Sequence, residues 1–247
     1  MNYVERKTLL SVEADAKTKK GEKLGVLTGV LYLAPANVSG YEVCPKRSQG
    51  CTDACLFTSG RGGMRSVHDS RVNKTIWFHE NRDSFMEVLV KDIERLIRKA
   101  QRENMVPAVR LNGTSDIAWE KIRVGDHRNL MEMFPEIQFY DYTKIRGRKS
   151  AIALDNYHLT FSLAEDNDQD AFLAIEEGYN VAVVFDMKKT DSKPADWMGY
   201  PVIDGDETDV RFMDPKGGTI VGLYAKGDAR KDDSGFVRNP NLIAVGV

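Results

Sequence analysis

Cysteine is scarce in this chain, and the long apolar segments of membrane proteins are missing. The 247 residues include only three cysteines. No stretch approaches the roughly 18 consecutive apolar residues of a membrane-spanning helix, and the first residues lack the apolar run of a secretory signal. We therefore expect a cytoplasmic protein with no membrane partner, in which the cysteines are reduced.

A strong charge of either sign is also missing. The formal net charge is −2 at pH 7, so the chain as a whole does not attract nucleic acid or an anionic surface. The basic stretch from Lys144 to Lys149 is typical of an exposed loop. The chain contains no Gly-x-Ser-x-Gly, P-loop or His-Glu-x-x-His motif, so the enzymes that these motifs mark are not indicated.

The three cysteines lie within twelve residues, as Cys44, Cys51 and Cys55 in a C-x6-C-x3-C pattern. An odd number argues against a disulfide framework. Three thiolates are the ligands of a [4Fe-4S] cluster with one open iron, or of Zn2+ completed by histidine or water. For zinc, His68 and His79 are the nearest candidates. Reduced thiols without a metal are the third possibility.

Segments typical of strands alternate along the chain with segments typical of helices. The strands are expected at 24–35, 108–112, 137–142, 158–163, 180–185 and 219–224, and the helices from about 67, at 82–104, 128–133 and 168–177. This alternation predicts an α/β fold, a single-domain partial or full β/α barrel with mostly parallel strands. We expect an N-terminal, loosely packed arm at 1–23 and one β/α domain at 24–247, with the cysteine loop at 44–55.

Three of the predicted strands have one polar face. Arg110 lies on this face of one strand, Tyr140 and Tyr142 on the next, and His158 and Ser162 on the third. A parallel strand covered on both sides is normally apolar on both faces. The polar faces therefore predict an inner side that lines a cavity, although an antiparallel sheet with one solvated face would give the same pattern.

Polar residues follow the predicted strands at their carboxyl ends, where β/α proteins bind ligands and where the cysteine loop also falls. Asn112, Ser115 and Asp116 suit an amino or hydroxyl group of a cofactor, or the N-cap of a helix at Ile117. Lys144 suits a carboxylate or phosphate. The predicted cofactor-binding residues are Asn112, Ser115, Asp116, Lys144, Ser162 and Glu165. We interpret the acidic segment 204–209 as a turn stabilised by aspartates.

A resemblance to a known family extends over nearly the whole chain. It rests on segments 23–35, 110–117, 134–144, 156–163, 202–207 and 235–237, together with Cys44, Cys51, Cys55 and Ser59–Arg61. In these segments the chain resembles a phage protein family, the gene product 88-like proteins. The resemblance implies a phage or prophage origin, and therefore the cytoplasm of an infected bacterium, but it implies no chemistry.

A second and weaker similarity is to radical S-adenosylmethionine enzymes. These also carry three cysteines in a loop after the first strand of a partial β/α barrel, where the cysteines hold a [4Fe-4S] cluster. The spacing here departs from their usual C-x3-C-x2-C, and no glycine pair follows the second strand. As an analogy, the similarity implies a cluster on Cys44, Cys51 and Cys55, with S-adenosylmethionine as a further cofactor.

Two hypotheses follow from these observations. In the first, the protein is an iron–sulfur enzyme that performs reductive or radical chemistry on a small molecule or a nucleotide. In the second, it is a zinc-stabilised phage accessory protein that binds a host protein or nucleic acid. The sequence names neither a catalytic residue nor a substrate.

Overall fold

The computed structural model describes residues 3–12 and 20–241. Within them the chain forms one mixed sheet of nine strands in the order β1-β2-β3-β4-β5-β6-β9-β8-β7. The strands are β1 Leu10–Val12, β2 Val26–Leu31, β3 Val106–Arg110, β4 Gln138–Thr143, β5 Tyr157–Ser162, β6 Asn180–Phe185, β7 Asp196–Trp197, β8 Tyr200–Asp204 and β9 Ile220–Tyr224.

The central strands are parallel, as the alternation of strands and helices predicts. From β2 to β6 each strand pairs with the one before it, and β9 and β8 continue the parallel arrangement. Two short edge strands, β1 and β7, are antiparallel to their neighbours. The described strands form an open sheet in which the two edges do not pair, so the closed β/α barrel that the sequence allowed is not formed.

Helices cover one face of the sheet. The two long ones, Arg65–Glu80 and Arg82–Glu103, lie against the β1 to β3 side, because the apolar stripe of the second packs on β2 and β3. Asp168–Glu176 covers β5 and β6 and is followed by Gly178 with a φ of 91°. The short helices are Ala36–Ser39, Gln49–Asp53, Leu130–Met133 and Lys149–Ile152.

The opposite face is covered at its amino end by the segment that follows β8. In this segment Val210 packs against Val26, Ala108 and Tyr140 of the first three parallel strands, with Phe212 beside them. The segment thus reaches back across the sheet from β8 to β2. It covers this face at the amino ends of the strands and leaves the face uncovered at their carboxyl ends.

The described N-terminal arm is exposed at residues 4–8 and packed against the domain from Leu9 to Val12. Leu9 is fully buried and the adjoining β1 pairs with β2. The Asp92 carboxylate accepts the backbone N–H groups of Leu9 and Leu10, which fixes this segment to the long helix. Residues 1–2 and 13–19 of the predicted arm, and 242–247 of the predicted domain, lie outside the described residues.

Candidate functional site

A cavity of about 250 Å3 opens at the carboxyl ends of the parallel strands. Its floor includes Arg110 of β3, Tyr142 of β4 and Ser162 of β5, which are neighbours in the sheet. Tyr140 is on the same face of the sheet but nearer the amino end of β4, where its ring packs against the Phe212 ring with the centroids 5.5 Å apart. The prediction that the three half-polar strands are parallel neighbours around one shared interior is therefore confirmed, with Tyr140 beneath the cavity and not on its wall.

All three cysteines line one wall of this cavity. The loop after β2 carries Cys44, the short helix Gln49–Asp53 carries Cys51, and Cys55 follows that helix. Ser48 caps the helix by accepting the N–H of Cys51 at 3.1 Å. Cys55 lies two residues beyond the last residue of that helix, Asp53, and the Sγ of Cys44 lies 3.9 Å from the Thr114 carbonyl.

The cysteines are close enough to influence one another's ionisation. Burial, the Asp116 carboxylate and the other two sulfurs raise the pKa of the Cys44 thiol to about 12. Burial also raises the pKa of Cys55, and the charges of Lys144 and Arg71 act in the opposite direction. A metal that binds here must therefore displace protons from the thiols.

A preformed site for a single metal ion is not present in the described part of the chain, where no three His, Cys, Asp or Glu side chains are arranged to hold one. A zinc ion brings its sulfur ligands to about 2.3 Å, whereas an iron–sulfur cluster places its cysteines on separate irons and so spaces them more widely. The chemistry of the donor set fits the cluster, because three thiols share a wall with open space beside it.

Glu165 anchors the cysteine loop. Its carboxylate accepts the Ser48 hydroxyl at 2.7 Å and the Gly50 N–H at 2.6 Å. Partial burial opposes its ionisation, but these hydrogen bonds hold the pKa of Glu165 below its usual value. A side chain on Gly50 would lie 2.1 Å from the Ser234 Oγ and 2.9 Å from Glu165. Glu165, predicted to bind the cofactor, instead holds the loop and is not part of the cavity wall.

Asn112 and Asp116 line the cavity but are engaged in internal hydrogen bonds. The Asn112 Oδ1 accepts the Ser115 hydroxyl at 2.8 Å, the Ile117 N–H and the Trp119 indole. The Asp116 carboxylate accepts the Lys144 N–H at 2.8 Å, and the Asp116 N–H donates to the Val43 carbonyl. Only a 3-10 turn, Trp119–Lys121, follows them. The prediction of a helix at Ile117 with its N-cap among these residues was therefore wrong.

A closed polar network lies behind these residues. The Arg148 guanidinium contacts both oxygens of Glu120 and donates to the Tyr157 hydroxyl at 3.2 Å. Tyr157 donates to Asp141 at 2.9 Å, and the other oxygen of Asp141 accepts the Asn112 N–H at 2.6 Å. The Arg148 and Glu120 side chains are 1% and 0% exposed. Sequence reasoning missed this network, because its members are separated by up to 37 residues.

The acidic segment 204–209 contributes Asp206 and Asp209 to the lining of the cavity. Asp209 pairs with Arg110 at 2.6 Å, and Asp206 accepts the Tyr224 N–H at 2.9 Å and pairs with Lys193 and Lys226. Within the segment the Asp204 Oδ1 accepts the Asp206 N–H at 2.8 Å, which is the contact expected of a turn stabilised by an aspartate. No signal in the sequence indicated that Arg110 and Asp209 would pair.

The histidines stand apart from the cysteines. His68 packs edge-on against Phe57 with its Nδ1 3.4 Å from Asp69, and His79 stacks on Tyr41. Neither lines the cavity. Burial and the charges of Arg211 and Lys216 lower the pKa of His158 to about 4, so that this histidine is neutral at neutral pH.

Comparisons with known proteins identify the family of this chain. No curated protein and no solved structure matches it, so the similarity to radical S-adenosylmethionine enzymes finds no support there. In the part of the chain that the structure describes, no helix is both long and apolar enough to cross a membrane. Residues 6–240 match the family described as Gene product 88, and the chain therefore belongs to this family of phage gene products.

Proposed function

We propose that this phage protein is an iron–sulfur enzyme in which Cys44, Cys51 and Cys55 hold a [4Fe-4S] cluster. The observation that carries the proposal is the placement of all three cysteines on one wall of a cavity at the carboxyl ends of parallel strands. Such cavities are where α/β proteins bind and transform small molecules. The substrate would be a small molecule or a nucleotide.

The donor set and the surroundings of the cysteines support a cluster. Three thiolates leave one iron without a protein ligand, and the cavity provides open space at that wall. The Lys144 and Arg71 charges act on the cysteines and would offset part of the negative charge of the thiolates. Ser48, Gly50 and Glu165 hold the loop in place through two short hydrogen bonds.

When bound, the cluster would supply single electrons and an iron to which a small ligand can attach. The residues of the chain would position the reactants. Arg110 is stacked on Tyr142 with its guanidinium carbon 4.7 Å from the ring centroid and is fixed by Asp209, which makes the floor rigid. The apolar side chains of Leu163 and Val184 on the cavity wall would keep water away from the reacting atoms.

S-adenosylmethionine is the first co-substrate to consider, and the support for it is an analogy of topology. The parallel strands β2 to β6 follow one another in sequence order, and the cysteine loop follows the first of them. Ser115 and Asp116 line the cavity near Cys44 and would lie beside the bound molecule. Their internal hydrogen bonds make them positioning residues in this proposal.

Anaerobic reconstitution with iron and sulfide tests the proposal. We expect brown protein that absorbs broadly near roughly 400 nm and contains about four irons per chain. Cys51→Ser should lose the colour and most of the iron, whereas Ser66→Ala, an exposed substitution on the neighbouring helix, should retain both. Calorimetry with S-adenosylmethionine on the reconstituted protein then tests the co-substrate; no binding at millimolar concentration would remove the radical reaction and leave a cluster for electron transfer or structure.

The same experiment tests the alternative hypothesis, in which the three cysteines bind zinc. Colourless protein with one zinc per chain, retained after anaerobic reconstitution, would make the cysteines structural and favour an accessory protein that binds a host protein or nucleic acid. Zinc bound to the three cysteines would then need a fourth ligand other than histidine, because none of the four histidines lines the cavity.

A further inference from the structure

The Lys144 ammonium differs from the other cationic groups of the cavity wall. Lys20 donates to the Asp206 carbonyl, Arg47 pairs with Glu42 at 3.1 Å, Arg110 pairs with Asp209 at 2.6 Å, and Lys226 pairs with Asp206. Lys144 makes no ion pair or side-chain hydrogen bond with any described residue. Its ammonium lies 5.8 Å from the centroid of the Phe236 ring.

The Lys144 side chain is partly buried, and its charge acts on the Asp116 carboxylate without forming an ion pair with it in the described part of the chain. Its backbone is fixed, because its N–H donates to Asp116 at 2.8 Å. The burial and the fixed backbone hold the side chain at the cavity wall near Cys44 and Cys55, on whose ionisation its charge acts. A lysine held in this way is suited to bind an anionic group that enters the cavity.

The charge of the wall supports an anionic occupant. Five lining residues are cationic and three are acidic, although the whole chain has a net charge of −2. Arg47, Arg110 and Lys226 are paired with carboxylates, and Lys20 donates to the Asp206 carbonyl. Lys144 is therefore the lining cation whose charge is directed to a ligand in the cavity.

The remainder of the wall suits an apolar or aromatic body. Phe236 packs with Ala54, Ala225 and Ala229 at the rim, and Leu223 and Val184 extend the apolar surface toward the floor. The half-buried Phe236 ring is adjacent to the Lys144 ammonium. A ligand with its anionic group on Lys144 would therefore place its body against this ring and the aliphatic side chains.

We propose that the cavity binds a small molecule that combines one anionic group, a carboxylate or a phosphate, with an apolar or aromatic body. Lys144 binds the anionic group and Phe236 contacts the body. This proposal rests on the proposed function in that it names the ligand class of the same cavity. Binding to Lys144 needs no metal, so it can be measured on the protein before and after reconstitution.

Calorimetry with matched pairs of probes tests the proposal. The pairs are adenosine 5′-monophosphate with adenosine, and benzoate with benzyl alcohol; inorganic phosphate tests the anion alone. We expect the anionic member of at least one pair to bind about tenfold more tightly than its neutral partner. The pair that shows the preference distinguishes a nucleotide from an aromatic carboxylate, and inorganic phosphate alone should bind more weakly than either.

Variants of Lys144 connect this preference to the residue. Lys144→Met should abolish it, Lys144→Arg should retain it, and Lys189→Met, at an exposed lysine outside the cavity wall, should not change it. Equal binding of both members of each pair, or no binding of any probe at millimolar concentration, would overturn the proposal. The proposal would also be overturned if Lys144→Met lowered the iron content but left the preference for the anionic probe intact. Failure of the unaltered protein to bind iron would contradict the proposed cluster and not the ligand class.

Discussion

One group of polar side chains joins β4 and β5 to the segments that follow β3 and β4, and a second group lines the cavity; the two differ in how their partners are arranged. In the closed network, Arg148, Glu120, Tyr157 and Asp141 hydrogen-bond to one another, and the remaining Arg148 nitrogen lies 3.9 Å from Asp116. On the cavity wall, the cysteines and Lys144 face open space. Groups that are bonded to each other hold the strand ends together, whereas groups that face the cavity are available to a ligand.

The comparison gives different roles to residues that look alike in the sequence. Asp116 and Lys144 both follow a strand and both line the cavity. The carboxylate of Asp116 is occupied by the backbone of Lys144 at 2.8 Å, whereas the ammonium of Lys144 has no such partner among the described residues. We therefore expect substitutions in the closed group to change stability, and substitutions in the open group to change binding.

Glu120→Gln should have the largest effect on stability. The substitution leaves the buried Arg148 guanidinium without its main counter-charge, since Asp116 is 3.9 Å away. Breaking a buried ion pair from one side costs about 3 kcal/mol or more. Urea unfolding measures the change. A loss below about 1 kcal/mol would show that the pair contributes no more than one at the surface.

The pH dependence of stability should reveal Asp141. Burial raises the pKa of Asp141 to about 7, and the hydrogen bond from the Asn112 N–H and the charge of Arg110 oppose the shift. Because the folded pKa lies above the unfolded value of about 3.9, the contribution of Asp141 to stability is full below the unfolded pKa and is lost as the pH rises toward 7.

The comparison with Asp141→Asn isolates this contribution. Between pH 5 and pH 7, roughly, the unfolding free energy of the unaltered protein should fall relative to that of the variant by about 1 kcal/mol per pH unit. The difference should become constant above the folded pKa. A difference that does not change with pH would mean that Asp141 is ionised throughout this range in the folded protein.

Glu165→Gln should have a smaller effect on stability and a visible one on the cysteine loop. The charge-assisted hydrogen bonds to Ser48 and Gly50 become neutral or are lost, which costs about 1.5 kcal/mol. Because these bonds hold the helix that carries Cys51, iron should be released to a chelator faster than from the unaltered protein. Unchanged release would show that the loop is fixed without Glu165.

Asp116→Asn should have the smallest effect. Burial raises the pKa of Asp116, so a neutral side chain is tolerated, and the Asn carbonyl can still accept the Lys144 N–H. We expect a loss of less than about 1 kcal/mol, unchanged iron content, and weaker binding of a small molecule if Lys144 moves. Loss of iron would instead place Asp116 within the metal site itself.

The sequence predicted the central β/α alternation because local periodicity determines it. The predicted strands contain β2, β6 and β9 and overlap β3, β4 and β5, and the helix 168–177 ends before Gly178 as the glycine indicated. The sequence did not predict β1 and β7, which are edge strands of three and two residues, or β8, a partly exposed strand that contains Pro201. The position of β9 between β6 and β8 also depends on contacts that are distant in the sequence.

The site was predicted in part. The cysteines, Asn112, Ser115, Asp116, Lys144 and Ser162 line one cavity, because the carboxyl ends of neighbouring parallel strands meet. The roles of individual residues could not be read from the pattern. Glu165 was expected in the pocket and instead accepts a hydrogen bond from the Ser48 hydroxyl at 2.7 Å. The two residues are 117 positions apart in the sequence, and no local signal identifies a contact over such a separation.

Iron and sulfide content after anaerobic reconstitution, compared between one variant of each group, tests the account most directly. Cys55→Ser changes the open group, and Tyr157→Phe removes a hydroxyl of the closed network. The account predicts that Cys55→Ser loses the iron while remaining folded, and that Tyr157→Phe is less stable but binds about four irons per chain as the unaltered protein does. Full iron binding by Cys55→Ser, or none by the unaltered protein, would contradict it.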